Sequence, residues 1–182
     1  MTPLSARSAH EAHLYMDLQP CGCGQGRFPR GATVLTLPDG ELARRYAGPC
    51  EGCGTTREFL FRLPAGPVEV EQGFRYGGAE PSRLIDAGEW LWVAENHARG
   101  VPAGAAGLPE ADRRRCRLRL TAAVAALDEV VKFVPPGGAR VPFTAVWTAL
   151  GRSVYQREPG RFRAGRLAAV RSAYAGVLRR LD

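Results

Sequence analysis

The chain has 182 residues, of which 45% are apolar and 24% charged; this excludes wholesale disorder and suits one compact domain or two small ones. No run approaches the length needed to span a bilayer. The formal charge of +7 is unevenly divided, with −2 over residues 1 to 99 and +9 over residues 100 to 182, and arginine outnumbers lysine 24 to 1.

No internal repeat is found, and the first half reads as short strands. "HLYMDL" (13 to 18) alternates and leads into a pair of cysteines. "ATVLTL" (32 to 37) is rich in β-branched residues and ends at the turn "PDG", with "ELARRY" directly after it. That order predicts a hairpin across Asp39 and Gly40. "REFLFRL" (57 to 63) alternates, with Phe59, Phe61 and Leu63 on one face and Glu58, Leu60 and Arg62 on the other. Leu35, Leu37, Phe59 and Phe61 are the expected core of this module. "VEVEQGFRY" (68 to 76) suggests one more strand.

The pattern then turns helical. Asp86 stands three residues before Glu89, the spacing of a capping box. The helix it opens is expected to reach Arg99, with Trp90, Val93, Ala94 and His97 on one side. Trp90 and Trp92 are about 200° apart on such a helix, so one of them should be exposed or meet a third element. After a Gly/Pro-rich connector, a longer helix from Pro109 carries Cys116, Leu120, Val124, Leu127 and Val131 in one stripe. "PPGG" (135 to 138) stops it. Phe143, Val146, Trp147, Leu150 and Val154 predict a third helix with Pro142 in its first turn. Leu167, Val170, Tyr174, Val177 and Leu181 predict a fourth. The expected fold class is α+β, with a β module over residues 1–80 and a small α-helical bundle over 81–182 packed on it. Phe74, Tyr76, Trp90 and Trp92 are expected to join the two.

Four of the five cysteines stand in two glycine-flanked pairs, Cys21 with Cys23 and Cys50 with Cys53, and 26 residues lie between the pairs. The first eighteen residues lack an apolar signal-peptide core, so a cytoplasmic location with reduced thiols is expected. Thiolates two or three positions apart on a tight turn can converge on one ion. Gly22, Gly24, Gly52 and Gly54 are placed to supply positive φ and to let backbone N–H groups face the sulfurs. Four sulfurs complete the coordination of zinc and leave no position open for a substrate. Two such knuckles bracketing a hairpin resemble a zinc ribbon over residues 12 to 64, with the departure that the first knuckle is Cys-x-Cys. The resemblance implies one structural Zn²⁺ per chain. Iron in a rubredoxin-like site is the alternative, although that family carries Cys-x-x-Cys at both knuckles. A redox dithiol fits poorly, because Gly54, Thr55 and Thr56 lead into a strand pattern rather than a helix.

Cys116 sits on an apolar stripe and reads as a core thiol. His10 and His13 precede the first knuckle, as neighbours of the ligands or as surface histidines. "DRRRCRLR" (112 to 119) is the sharpest basic feature. Taking Leu120 as the core direction, Arg114, Arg115 and Arg119 point outward. They suit a phosphate or the carboxylates of a protein, or are simply a solvated face. Arg161 and Arg179 are expected to point away from the core of the last helix. An exposed tryptophan, with Trp92 the candidate, suits a protein-binding anchor. No Ser-His-Asp or Cys-His order stands out. The function expected is therefore non-enzymatic: a cytoplasmic zinc-binding interaction or accessory protein with a protein partner, such as a bacterial adaptor or immunity protein. Nucleic-acid binding through the arginine-rich half is the alternative. An enzyme site near Glu89, Trp90, Glu95 and His97 would be a third, with no motif behind it.

Overall fold

The computed structural model describes residues 2–63 and 74–181. Among these residues the fold is α+β, with a four-stranded sheet and five α-helices. The chain divides into two compact units, Met1–Gln72 with Ser82–Leu84, and Gly73–Pro81 with Ile85–Asp182. Most of the segment expected as a strand at 68 to 76 lies outside the described residues. Phe74, Tyr76, Trp90 and Trp92 all fall within the second unit. No helix among the described residues is long and apolar enough to cross a membrane.

The first unit contains a helix where a strand was expected. After the short strand β1 (Leu4–Ser5), helix α1 covers Ala9–Leu18 and takes in "HLYMDL". Ser8 caps it, its Oγ accepting from the Glu11 amide at 3.0 Å. The buried Glu11 carboxylate in turn accepts from the Arg7 amide and guanidinium, each at 2.6 Å. Ala12, Tyr15 and Met16 then form an apolar face at helical spacing, which outweighs the local alternation.

The sheet follows the expected hairpin. β2 (Gly31–Thr36) and β3 (Leu42–Pro49) are antiparallel and close at Thr36 opposite Leu42, with Gly40 at φ 85° in the turn. β4 (Thr56–Arg62) pairs antiparallel with β3, and β1 runs parallel to β4, giving the order β1-β4-β3-β2. The core is Ala12, Met16, Phe28, Tyr46 and Phe61, with Tyr15 and Phe59 partly buried against it. Leu37 is buried at the turn, but Leu35 is only half-buried because β2 is an edge strand. Helix α1 and Phe28 fill the place the sequence reading gave to Leu35. Gly48 is required for close approach: a Cβ there would lie 1.8 Å from the Pro29 carbonyl oxygen.

The second unit is built from α2 (Ala87–Arg99), α3 (Glu110–Val131), α4 (Ala149–Arg157) and α5 (Ala164–Arg179). Helix α2 packs on α3 and α4, and α3 packs on α5. On α3 the expected stripe holds at Cys116, Leu120 and Leu127, but Val124 is half-buried and Val131 is exposed. Ala122, Ala123, Ala125 and Ala126 are buried instead, a small-residue surface that lets neighbours come close. The third helix begins later than expected. Phe143–Ala145 is a 3-10 turn, and α4 starts only after Thr148, whose side chain accepts from the Gly151 amide at 3.0 Å. Phe143 and Trp147 are accordingly exposed.

The cause of that late start is Asp86. It caps α2 as expected, accepting at Oδ1 from the Gly88 and Glu89 amides at 2.9 and 2.8 Å. Its other oxygen accepts from the Trp147 amide (2.9 Å), the Thr148 amide (2.7 Å) and the Thr148 hydroxyl (2.8 Å). One buried carboxylate thus fixes the starts of two helices. The helices meet there without side chains: a Cβ on Gly88 would lie 2.4 Å from the Gly151 carbonyl oxygen, and one on Gly151 would lie 2.1 Å from Asp86 Oδ1. Asp86→Ala should lower the unfolding free energy by ~3 kcal/mol or more, because buried donors lose a charged acceptor. Urea denaturation measures it, and a loss below about 1 kcal/mol would show the junction to be dispensable.

Glu89, beside Asp86, is buried, and its carboxyl is pushed up to about 7, first by desolvation and further by the Asp86 charge. Below its ordinary value of 4.5 it is protonated in both folded and unfolded chains. Between 4.5 and 7 the unfolded chain releases a proton that the folded chain keeps, so stability falls as pH rises through that window and levels off above it. The contribution lost over that window is ~3 kcal/mol. Glu89→Gln should remove this part of the slope in a pH series of melts.

Candidate metal centre

Cys21 and Cys23 lie in the turn that leaves α1. Cys50 and Cys53 lie in the turn between β3 and β4. Each turn is closed by backbone bonds. Cys21 donates to the Gln25 carbonyl at 2.9 Å, and Gly24 donates to the Cys21 carbonyl at 2.7 Å. Cys50 donates to the Thr55 carbonyl, and Gly54 to the Cys50 carbonyl, both at 2.9 Å. Gly24 and Gly54 adopt the positive φ that the motif asks for, at 85° and 72°. Gly22 and Gly52 do not. Gly52 is needed for space instead, since a Cβ there would come within 3.2 Å of Cys23 Sγ. Its amide faces Cys50 Sγ at 3.4 Å.

The four sulfurs lie within 4.8 Å of one another, close enough to bind one metal ion. Contacts of 3.6 Å cross between the knuckles, Cys21 to Cys53 and Cys23 to Cys50. That spacing is far beyond a disulfide bond of about 2.05 Å, and all five cysteines are free. Cys50 is buried, Cys21 half-buried, and Cys23 and Cys53 exposed. Cys23, Cys50 and Cys53 differ in acidity. The Thr55 hydroxyl and amide pull the Cys53 thiol down to about 6, and the Gly52 and Cys53 amides lower Cys50. Cys23 feels a lowering hydrogen bond from the Gln25 backbone, but sharing protons with the other three thiols pushes it up to about 11. A metal ion bound here displaces the protons that the thiols retain.

One residue that the sequence reading passed over brings the pairs together. Arg57, at the start of β4, is 7% exposed. Its guanidinium donates to the Gly26 carbonyl at 2.6 Å, the Met16 carbonyl at 3.2 Å and the Gln19 carbonyl. It also stacks over Phe28 at 4.4 Å and Phe59 at 5.4 Å. It therefore caps the end of α1 and holds the first knuckle against the strand that leaves the second. The signal was present: by alternation, Arg57 shares a strand face with Phe59 and Phe61, where a charge is out of place unless it is tied.

Other candidates lie elsewhere. Cys116 is buried on α3 with Ala105, Leu120 and Leu181, as a core thiol. His10 is exposed. His13 stands edge-on to Tyr46 with its Nδ1 3.0 Å from Arg30 Nη1, and burial and the Arg30 charge lower its pKa. Neither histidine joins the sulfur group. Of the two tryptophans, Trp90 is fully buried, with its ring 4.8 Å from that of Tyr76, and Trp92 is 38% exposed. Glu89 and Trp90 are thus sealed inside the second unit. Arg114, Arg115 and Arg119 are exposed along α3 as expected, but the basic run is partly neutralised. Arg115 pairs with Asp112, and Arg113 and Arg117 both pair with Glu110. Arg117 also donates to the Leu181 carbonyl at 2.7 Å. Arg119 lies against Gly100. Arg161 departs from expectation: it belongs to the 3-10 turn Pro159–Phe162, is largely buried, and contacts Glu95.

The chain matches no family model, no curated protein and no solved structure. The site is therefore read from its own geometry. Cys50→Ser should reduce bound metal, measured by elemental analysis, to less than half an equivalent, whereas Cys116→Ser should retain the metal and lower stability by about 1 kcal/mol. Loss of metal from the Cys116 variant would overturn the ligand set. Arg57→Ala, which removes no sulfur, should weaken metal binding at least tenfold in a competition titration with a chromophoric chelator, in line with disrupted support around the ligands.

Proposed function

We propose that the protein is a non-enzymatic interaction protein of the cytoplasm, adaptor- or immunity-like. In this reading one structural zinc ion on Cys21, Cys23, Cys50 and Cys53 completes the first unit in a zinc-ribbon-like manner. The observation that carries this is the sulfur geometry. Zinc–sulfur bonds of about 2.3 Å in a tetrahedron put neighbouring sulfurs about 3.75 Å apart; two cross-knuckle contacts here are 3.6 Å, and all four sulfurs lie within 4.8 Å of one another. A four-sulfur set occupies every position of the ion, so it favours a structural role over hydrolytic chemistry. The first unit also has reason to need an ion. Its core is small, and a closed thiolate site adds on the order of 10 kcal/mol to folding. The entry to the first knuckle from a helix rather than a strand distinguishes it from an ordinary ribbon.

For a protein partner, the support is the exposed aromatic surface of the second unit. Trp92, Phe143 and Trp147 are each between 38% and 49% exposed, and such rings are frequent binding anchors. The alternative, nucleic-acid binding, rests on Arg114 and Arg119, which make no ion pair among the described residues. The pairing of Arg113, Arg115 and Arg117 within their own helix weighs against it.

Purified without chelator, the protein should carry one equivalent of zinc by elemental analysis; iron in its place would favour the rubredoxin-like alternative. Chelation should abolish hydrogen-exchange protection over 42 to 62 and leave 116 to 127 protected. Protection that persists over 42 to 62 would remove the structural role. Fluorescence anisotropy with a labelled duplex at low salt should show no binding. Binding that weakens steeply with salt and is lost on charge reversal of Arg114 and Arg119 would favour the nucleic-acid reading.

A further inference from the structure

Helices α2, α3 and α5 and the turn Pro159–Phe162 line a partly open cavity of about 220 Å³. It lies wholly within the second unit and shares no residue with the cysteine site. Its floor is apolar, with Leu91 from α2, Leu127 from α3 and Val170 from α5. Its polar lining is Glu95, Glu158, Arg161, Tyr174 and the exposed Arg166. The Arg161 side chain is only 16% exposed, and Glu95 offsets its charge. Burial and the neighbouring Arg166 charge both disfavour the cationic form of Arg161. Glu158 reaches Arg161 only at 4.0 Å and is 60% exposed, so water screens it. Arg166 makes no ion pair, and Tyr174 no hydrogen bond, among the described residues. Burial also pushes the Tyr174 phenol up, keeping it a neutral donor. A second guanidinium and a phenol hydroxyl are thus left facing a space lined otherwise by apolar side chains and by Glu95 and Glu158. This combination, an apolar pocket with a few convergent polar groups, is the usual form of a small-molecule site.

We propose that this cavity binds a small aromatic carboxylate, with the carboxylate at the Arg161 and Arg166 end and the ring on Leu91, Leu127 and Val170. Size limits the ligand. A cavity of about 150 Å³ accepts benzene, so the present one holds a single ring and a short acidic arm and is too small for a nucleotide. A carboxylate is favoured over a neutral molecule because a guanidinium bonds it through two parallel N–H groups. The site would make the second unit a ligand-responsive element, whatever the first unit holds.

The test uses the full chain with its native metal and phenylacetate as the probe, followed by NMR of the backbone amides and arginine Nε–H groups. Saturable shifts at Val170 and Arg161 are expected. Phenylacetamide, the neutral isostere, should bind at least about tenfold more weakly, a difference of roughly 1.4 kcal/mol. Arg166→Gln should weaken phenylacetate by a similar factor without altering phenylacetamide. Val170→Phe, which fills the cavity, should abolish binding of both. No saturable shift up to about 10 mM phenylacetate, or equal binding of acid and amide by the wild-type chain, would overturn the proposal. The comparison of acid with amide needs no variant, so it stands even if a substitution disturbs folding.

Discussion

The first unit depends on one buried cation. Arg57 packs over two aromatic rings and gives its donors to carbonyl oxygens at the end of α1 and in the first cysteine turn. Those carbonyls have no helical partners of their own, and a buried acceptor left unpaired costs about 1–3 kcal/mol. The guanidinium satisfies them and escapes isolation in the same contact. Its position just beyond the second cysteine turn makes the distance between the two turns a matter of one rigid side chain. The sulfurs converge because the backbone around them is already held in place.

The second unit solves a similar problem with the opposite charge. The Asp86 carboxylate closes the open amides at the starts of α2 and α4. A buried anion is stable there because two helix starts present partial positive charge to it. The glycine contact between Gly88 and Gly151 brings those starts within reach, so sequence positions 61 and 62 apart share one acceptor. In both units a single ionised group, fully engaged, sets the geometry that the apolar residues then fill.

What could be read in the sequence was whatever is local. The cysteine pairs, the hairpin at Asp39 and Gly40 and the cap at Asp86 all announce themselves within a few residues. The helix at Ala9–Leu18 is also announced, by Ser8 followed three residues later by Glu11, a signal that the alternation of "HLYMDL" masks. The start of α4 was not legible. Pro142 and the apolar spacing from Phe143 favour an earlier helix, and only a carboxylate far away in sequence holds 146 to 148 extended. Arg161 shows the same limit: its helical phase pointed outward, yet the chain makes a 3-10 turn there and carries the side chain inward to Glu95. Pairings over long sequence separation decided every such difference.

Among the described residues, the sheet order leaves β2 at an edge, paired with β3 on one side. Residues 31 to 36, "GATVLT", contain no charge and no proline, and Val34 is 51% exposed. Natural edge strands usually carry a lysine, a proline or a bulge that discourages a second chain from pairing alongside. Here the discouragement stands at the two ends, with Pro29 and Arg30 before the strand and Pro38 and Asp39 after it. Arg30 is held in place by Asp17 and His13 of α1. The short gap between these gatekeepers is the stretch where copies of the chain would begin edge-to-edge association, and resistance to such pairing therefore rests on flanking residues that belong to no strand.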